Sequence, residues 1–490
     1  MNFIRLILFF SLAWITGNAF SEEAEDPDIH KAQMSVINAI DKYHQTNTKI
    51  AQQIWDWAEL GYLETRSSKL LQSRLKDHGF AIEAGVAEIP TAFVASYGST
   101  EPVIAFLAEF DALPGISQDD SPVRTVIENK TAGHACGHHL LGTGAVAAAL
   151  AVKSWLSASG NAGTVRVYGT PAEEGGSGKV YMVRAGLFDD VDIVLDWHPS
   201  DHNSANLSPN LANRSAKFRF TGAAAHAAGA PDRGRSALDG VEAMNMMVNM
   251  MREHIPQESR IHYVITSGGE APNVVPAYAE VYYYLRHPEP NVLIDDIWNR
   301  VVLAAEGAAL GTGTKVTHEI MHGNRNLLVN EYLQKLAHRI LTKHGGVKYS
   351  KTEQNFAKTI YASFKKPKRK LGSQMKILPF EEKQAYGSTD VGDVSWTAPT
   401  ARFRIASWVP GTSAHSWQAV AAGGTSIGYK GMKSAASVLA ATAVEIFLKP
   451  EHVKAAQAEF KRRRGPDFKY RAMLGDRDPP LNLRVPHHPR

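Results

Sequence analysis

The chain is 490 residues long and 44% apolar, too long for one ordinary domain and ample for two or three hydrophobic cores. Its 53 Lys/Arg and 49 Asp/Glu nearly cancel, and 11 basic against 5 acidic residues fall between Lys449 and Arg490, a local +6 against +4 overall, which leaves about −2 for the rest. A basic tail on a slightly acidic body excludes a nucleic-acid-binding body, and one cysteine excludes an internal disulfide.

Met1 to Ser21 reads as an export signal. Arg5 gives the positive start, Leu6 to Ile15 the apolar run, and the small residues of 17–21 the cleavage site. The run is too short to span a bilayer, and no cysteine follows it to carry a lipid. No later stretch reads as long and apolar enough to cross a membrane. The expectation is a soluble exported protein, periplasmic or secreted. In that oxidising setting a single free thiol is a liability unless something holds it.

Residues 30–60 carry apolar positions at helical spacing and Ser67 to His78 reads as another helix. Phe93 to Ser96 and Val103 to Ala108 read as buried strands. The second ends in Glu109-Phe110-Asp111-Ala112-Leu113-Pro114-Gly115, and carboxylates at such a strand-to-loop boundary are positioned for a site, because open α/β sheets place ligands beyond their strand ends. Next comes Gly133-His134-Ala135-Cys136-Gly137-His138-His139. A lone cysteine beside imidazoles offers the borderline-soft donors that zinc and its first-row neighbours accept. Leu140 to Leu156 reads as a buried helix and Thr164 to Gly169 as a strand, followed at once by Glu173-Glu174-Gly175-Gly176. Beside a dication such a pair divides labour: one carboxylate ligates, the other moves a proton. Val191 to Trp197 forms a further strand that ends at His198. Cys136/His138, Glu173/Glu174 and His198 thus all fall at strand-to-loop boundaries of one α/β unit.

From residue 213 the pattern changes. Strands at 217–221, 263–267, 279–285 and 315–320 alternate with helices at 236–251 and 292–309 in the order βαββαβ, that of a small ferredoxin-like domain. It contains His226, Asn273 and Arg286, the last at a strand end where a guanidinium could clamp a carboxylate or form a surface ion pair. The α/β pattern then resumes with a helix over 331–342, a strand over 402–405 and an Ala-rich helix over 432–447, so 213–323 reads as an insertion. Gly411 to Ser416 supplies His415 in a small-residue loop. The basic run 365–370 reads as a solvated loop, and the tail past Lys449 as an extended wrap or partly disordered segment. The expected organisation is residues 1–21 signal, 22–212 and 324–448 one catalytic α/β domain, 213–323 its insertion and 449–490 a basic extension.

The segments 109–114, 134–138 (His-Ala-Cys-Gly-His), 170–176 (Thr-Pro-Ala-Glu-Glu-Gly-Gly), 197–198, 225–227, 272–276 and 414–416 (Ala-His-Ser), in that order, resemble the aminoacylase/carboxypeptidase family of metal-dependent amidohydrolases. The branch is that of the indoleacetyl-amino-acid and aminobenzoyl-glutamate hydrolases. The resemblance implies a zinc-peptidase-like mixed sheet flanked by helices, and an inserted domain that acts as lid and dimer interface. It further implies two divalent metal ions, zinc or manganese, held by Cys136, His138, Glu174, His198 and His415. Glu173 is then the general base, Asp111 stands beside the ligands, His226 reaches the scissile carbonyl across a dimer, and Asn273 and Arg286 meet the substrate. The implied substrate is an N-acyl amino acid such as aminobenzoyl-glutamate, with dipeptide or general N-acyl-amino-acid hydrolysis as the alternative, then a non-catalytic metal- or ligand-binding relative. The partner is a second copy or a related subunit. One departure stands out: many members carry Asp where this chain has His139, which leaves position 139 without a family role.

Overall fold

The computed structural model describes residues 26–485, so the export signal expected at 1–21 lies outside the described residues. Two sheets are built from strands β1 (Ala81–Ala84), β2 (Phe93–Tyr97), β3 (Val103–Ala108), β4 (Thr164–Gly169), β5 (Ile193–Ser200), β6 (Ala212–Thr221), β7 (Arg260–Ser267), β8 (Tyr278–His287), β9 (Lys315–Asn324) and β10 (Thr400–Ala406).

The larger sheet runs β1-β2-β4-β3-β5-β10. β4, β3, β5 and β10 are parallel, while β1 and β2 are added antiparallel at one edge, giving a mixed sheet. β3 shows why it is central: Ile104, Phe106 and Ala108 enter one core while Val103, Ala105 and Leu107 enter the core on the opposite face. A strand apolar on both faces has to be covered on both. Helices Pro27–Lys42, His138–Ser159 and Ser426–Leu448 cover one side, and the short helices Gly178–Arg184 and Val391–Ser395 lie on the other. The long helical stretch expected from residue 30 is two helices, Pro27–Lys42 and His44–Trp57, broken at Tyr43.

Helices His138–Ser159 and Ser426–Leu448 correct the expectation that nothing after the signal could cross a membrane. Both are long and apolar enough by length and composition. They are apolar all round because they are core helices, with 83% and 89% of their apolar windows buried inside the protein.

The second sheet runs β9-β6-β8-β7, entirely antiparallel, with helices Ala237–Met251 and Asn299–Thr312 packed on it. In chain order this is the βαββαβ of a ferredoxin-like unit, with its own apolar core around Phe218, Tyr283 and Trp298. The chain enters it at Ala212 and leaves at Asn324.

The basic extension departs from the extended or disordered tail expected. It opens with a helix, Pro450–Arg464, begun by proline in its first turn. Residues 465–485 then strap the two domains together. Met473 is buried in the core of the second sheet, whereas Ala472 and Leu474 enter the core beneath the first. Gly323 lets the strap approach, since a Cβ there would meet the Met473 carbonyl carbon at 2.7 Å. Arg214 donates to the Met473 carbonyl at 2.6 Å and Arg477 to that of Met321 at 2.7 Å. Arg484 donates to the Glu174 carbonyl at 2.6 Å.

Candidate active site

The parallel strands β4, β3, β5 and β10 lie side by side, so the loops leaving their C-terminal ends converge on one edge of the sheet. Glu109 and Asp111 follow β3, Glu173 and Glu174 follow β4, and His198 sits near the end of β5. Cys136 and His138 come to the same place on either side of Gly137, which turns the chain with φ +77° into helix His138–Ser159. His415 completes the group from the loop after β10, its backbone N–H bonded to the Ala135 carbonyl at 3.0 Å.

Three overlapping sets of donors result: Cys136, His138 and His198; Cys136, Glu174 and His415; Glu109, His138 and Glu173. Within each, the ligand atoms lie within 4.8 Å of one another. Cys136 Sγ is 3.4 Å from His198 Nε2, and Glu174 Oε1 is 3.1 Å from His415 Nε2. All five residues expected as ligands are therefore brought together, and Cys136, whose thiolate can bridge, belongs to two of the sets.

The neighbours of these residues fix their donor atoms. Asp111 Oδ1 lies 2.8 Å from His138 Nδ1, so that nitrogen carries the proton and Nε2 presents its lone pair to the cluster. The other Asp111 oxygen accepts from the Glu174 backbone N–H at 2.9 Å. His198 Nδ1 faces the Pro199 carbonyl at 2.7 Å, which likewise frees Nε2. Burial, then Arg402 and Arg404, keeps His198 well below the usual imidazole pKa and hence neutral. His138 goes the other way: burial would lower it, but Cys136, Asp111 and Glu109 push it well up. Such a pull toward positive charge is what a dication satisfies.

Several buried atoms of the cluster lack a hydrogen bond: both Glu109 carboxylate oxygens, His138 Nε2 and Glu174 Oε1. His138 Nε2 and Glu109 Oε2 are 3.1 Å apart, but not in hydrogen-bonding geometry. Buried polar atoms are seldom left so. Thiolate, imidazole and carboxylate aimed at one another suit borderline divalent ions, so the residues fit the metal ions that the resemblance implies.

The loop bearing Glu173 and Glu174 is under strain. Ala172 and Ser177 hold positive φ of 56° and 60°, as does His415 at 59°, a conformation costing on the order of 1–3 kcal/mol per residue. Buried anchors hold the loop: Glu64 accepts from the Ala172 N–H at 2.8 Å, and the Tyr62 hydroxyl donates to the Gly176 carbonyl at 2.6 Å. Burial, followed by Glu109 and Glu174, pushes the Glu173 carboxyl well above the usual carboxylate range.

The inserted domain's candidates lie elsewhere. His226 is exposed, and its Nδ1 accepts from the N–H groups of Ala228 and Gly229 at 3.2 and 3.1 Å, so Nε2 carries the proton and faces out as a donor. Asn273 is also exposed, with its carbonyl bonded to the Ala227 N–H at 3.0 Å. Neither lines the cleft of its own subunit. Arg286 reaches only its rim, donating to Ser388 Oγ at 2.8 Å. His139 is a core residue: it is buried, its Nε2 meets the Gly423 carbonyl at 3.0 Å, and burial drives its pKa to about 3.

Glu109, placed at a strand end by the sequence but given no role, and Lys179, Arg402 and Arg404, which the sequence reading passed over, also belong to the site. Lys179 Nζ sits 2.7 Å from Glu109 Oε1 and 2.7 Å from Asp390 Oδ1, all three fully buried beneath the cluster. The signal for the arginines was visible: Arg402 and Arg404 alternate with Ala401, Phe403 and Ile405, so one face of β10 is apolar and the other cationic.

A cleft of about 240 Å³ opens onto Cys136, Glu173, Glu174, His198 and His415. Residues 105–419 match peptidase family M20/M25/M40. Over 451 residues the chain is 42% identical to one of the subunits of the p-aminobenzoyl-glutamate hydrolase of Escherichia coli (strain K12), covering 86% of this chain and 94% of that protein. The chain belongs to the M20 family. A second relative, Xaa-Arg dipeptidase of Mus musculus, is 29% identical over 440 residues, 86% of this chain and 90% of that one. Among solved structures the M20 fold is matched by a dinuclear metal binding peptidase of Bacillus subtilis, with a TM-score of 0.57 and 16% identity over 83% of this chain and 99% of the other.

Proposed function

We propose that this M20 enzyme hydrolyses the amide bond of an N-acyl amino acid, aminobenzoyl-glutamate or a similar aroyl amino acid, using two divalent cations held by Cys136, His138, Glu174, His198 and His415. The observation that carries the reading is the convergence of these donors at the ends of parallel strands, several of their buried atoms being without a hydrogen bond. Kinship with the bacterial aminobenzoyl-glutamate hydrolase supplies the substrate class. When bound, cations of this kind acidify water and polarise a carbonyl.

The chain's own residues supply the rest. Glu173 lines the cleft, takes the proton of the attacking water and returns it to the leaving nitrogen. Asp111 keeps His138 in the tautomer that ligates. Arg286, on the cleft rim, holds the α-carboxylate of the released amino acid, and Asn273, which like His226 lies outside that cleft, meets the substrate of a neighbouring subunit.

His226 offers its Nε2–H to the substrate carbonyl of a neighbouring subunit. That role needs an interface through the inserted domain, and its free edge supports one. Among the described residues strand β7 is unpaired on one side; it exposes Tyr263, Val264 and Ile265, with Met246 and Met250 exposed on the helix of the same domain. An apolar open edge is a strand-pairing surface. The bacterial relative is named as one subunit of its hydrolase, which makes a related chain as acceptable an occupant as a second copy. Sedimentation should give an assembly larger than a monomer that Val264→Asp dissociates; monomers in the unaltered protein overturn the role of His226.

The direct test is amino-acid release from aminobenzoyl-glutamate, a panel of N-acyl amino acids and dipeptides, with zinc or manganese supplied. Aroyl amino acids should be cleaved best, and chelator should abolish release. Cys136→Ala should lose bound metal, measured by elemental analysis, along with activity. Preference for dipeptides would favour the second reading, to which the Xaa-Arg dipeptidase similarity gives weight. Full metal content in the Cys136 variant would overturn the ligand set.

A further inference from the structure

On β10 the polar face runs Thr400, Arg402, Arg404, and all three side chains line the cleft. The parallel register sets Arg402 opposite Asp196 and Arg404 opposite His198 on β5. Arg402 is neutralised there, its Nε 2.7 Å from Asp196 Oδ2. Arg404 faces a histidine that burial and the two arginines keep neutral. Among the described residues no carboxylate lies within ion-pair distance of the Arg404 guanidinium and no side-chain hydrogen bond reaches it. Of the two aspartates that act on Arg404, Asp196 is taken by Arg402 and Asp201 by His202 at 2.6 Å and Arg369 at 3.3 Å.

Arg404 is exposed to the solvent of the cleft, so an incoming anion can reach its guanidinium. An arginine spared a partner in such a place is one whose partner arrives with the ligand. Glu173 and Glu174 are the only carboxylates among the described residues that line the cleft, which otherwise mixes polar groups such as Asn206, Asn210 and Gln334 with the apolar Leu327 and Val329. Gln334 is itself spent, holding the Arg402 backbone through bonds of 2.8 and 2.7 Å that fix the strand on which Arg404 stands.

We infer that Arg404 is a specificity residue that receives a second, side-chain carboxylate of the substrate, so that the cleft selects conjugates of dicarboxylic amino acids over neutral ones. The inference rests on the amidohydrolase reading above, and names the substrate class within it. Arg286 at the rim and Arg404 on the cleft wall then share the two carboxylates of one amino acid.

The test compares aminobenzoyl-glutamate with aminobenzoyl-glutamine, a conjugate of the same shape that keeps the α-carboxylate but has an uncharged side chain, in the unaltered enzyme and in Arg404→Gln. In the unaltered enzyme kcat/KM should favour the glutamate conjugate by about tenfold to a hundredfold, the usual range for a hydrogen-bonded charge. In Arg404→Gln the ratio should fall to near one, through KM for the glutamate conjugate rather than kcat. A ratio that survives the substitution, or equal losses on both conjugates, overturns the assignment. A second readout keeps the two readings apart: calorimetric binding of both conjugates to metal-loaded Glu173→Gln, with and without Arg404→Gln. Should no N-acyl amino acid be cleaved, the amidohydrolase reading falls, and loss of glutamate-selective binding on substituting Arg404 still decides the inference.

Discussion

Glu173→Gln should lower kcat by about a hundredfold to ten-thousandfold, the range a positioned general base supplies, while bound metal stays at its unaltered level. Glutamine keeps the shape and one oxygen of the side chain but cannot take up a proton. The carboxyl stands where a base is useful: it opens on the cleft, and its environment lifts its proton affinity well above that of a surface glutamate, through burial first and then Glu109 and Glu174. Glu173 also shares a potential donor set with Glu109 and His138, so metal content has to be measured beside turnover. Unchanged kcat would remove Glu173 from proton transfer. Loss of metal would make it a ligand.

Lys179→Met should cost about 3–5 kcal/mol of stability, the usual penalty for breaking a buried pair from one side. Lys179 is fully buried between two carboxylates, Glu109 and Asp390, at 2.7 Å each. Burial alone would raise the Glu109 pKa, but Lys179 and His138 outweigh it and hold the group well below the usual carboxylate range. Asp390, with burial and Glu109 against it, is raised despite Lys179. The lysine is raised too, by Asp390 and Glu109 acting against burial. A raised lysine contributes fully below its unfolded pKa of about 10.4 and loses that contribution only as pH climbs through its folded value, so the deficit should be present across the neutral range. Denaturant unfolding at pH 7 measures it. Adding Asp390→Asn should recover part of the loss, because one of the stranded charges is then gone. A deficit under about 1 kcal/mol would mean that water reaches the network.

Residues at strand ends were the easiest part to read. Cys136, His138, Glu173, Glu174 and His198 each follow an apolar run of period two or precede one of helical period, and the fold sends all such boundaries to one sheet edge. What escaped reading depends on distance along the chain. Lys179 was invisible because its partners are 70 and 211 residues away and nothing local marks an interior lysine. Arg404 was passed over because its meaning depends on what stands opposite on β5. The helix Pro450–Arg464 carried a start signal in Pro450, but its four basic residues over 461–464 read as tail. His139, a departure from the family pattern, proves to be packing, its ring 4.8 Å from that of His134.

The strap over 465–485 also bears on when in the life of the chain the site is finished. Arg484 bonds the carbonyl of Glu174 from 310 residues further along, and Met473 fills a gap that Gly323 leaves open. On the ribosome, both domains emerge and can collapse before this segment exists. The nascent chain therefore passes through a period in which the loop bearing Glu173 and Glu174 lacks its outer hydrogen bond and the crevice between the two cores is bare. Contacts so distant in sequence are also among the slowest to close. Completion of the reactive centre thus waits for the strap, and a nascent chain stalled before residue 465 should hold a folded sheet without a finished site.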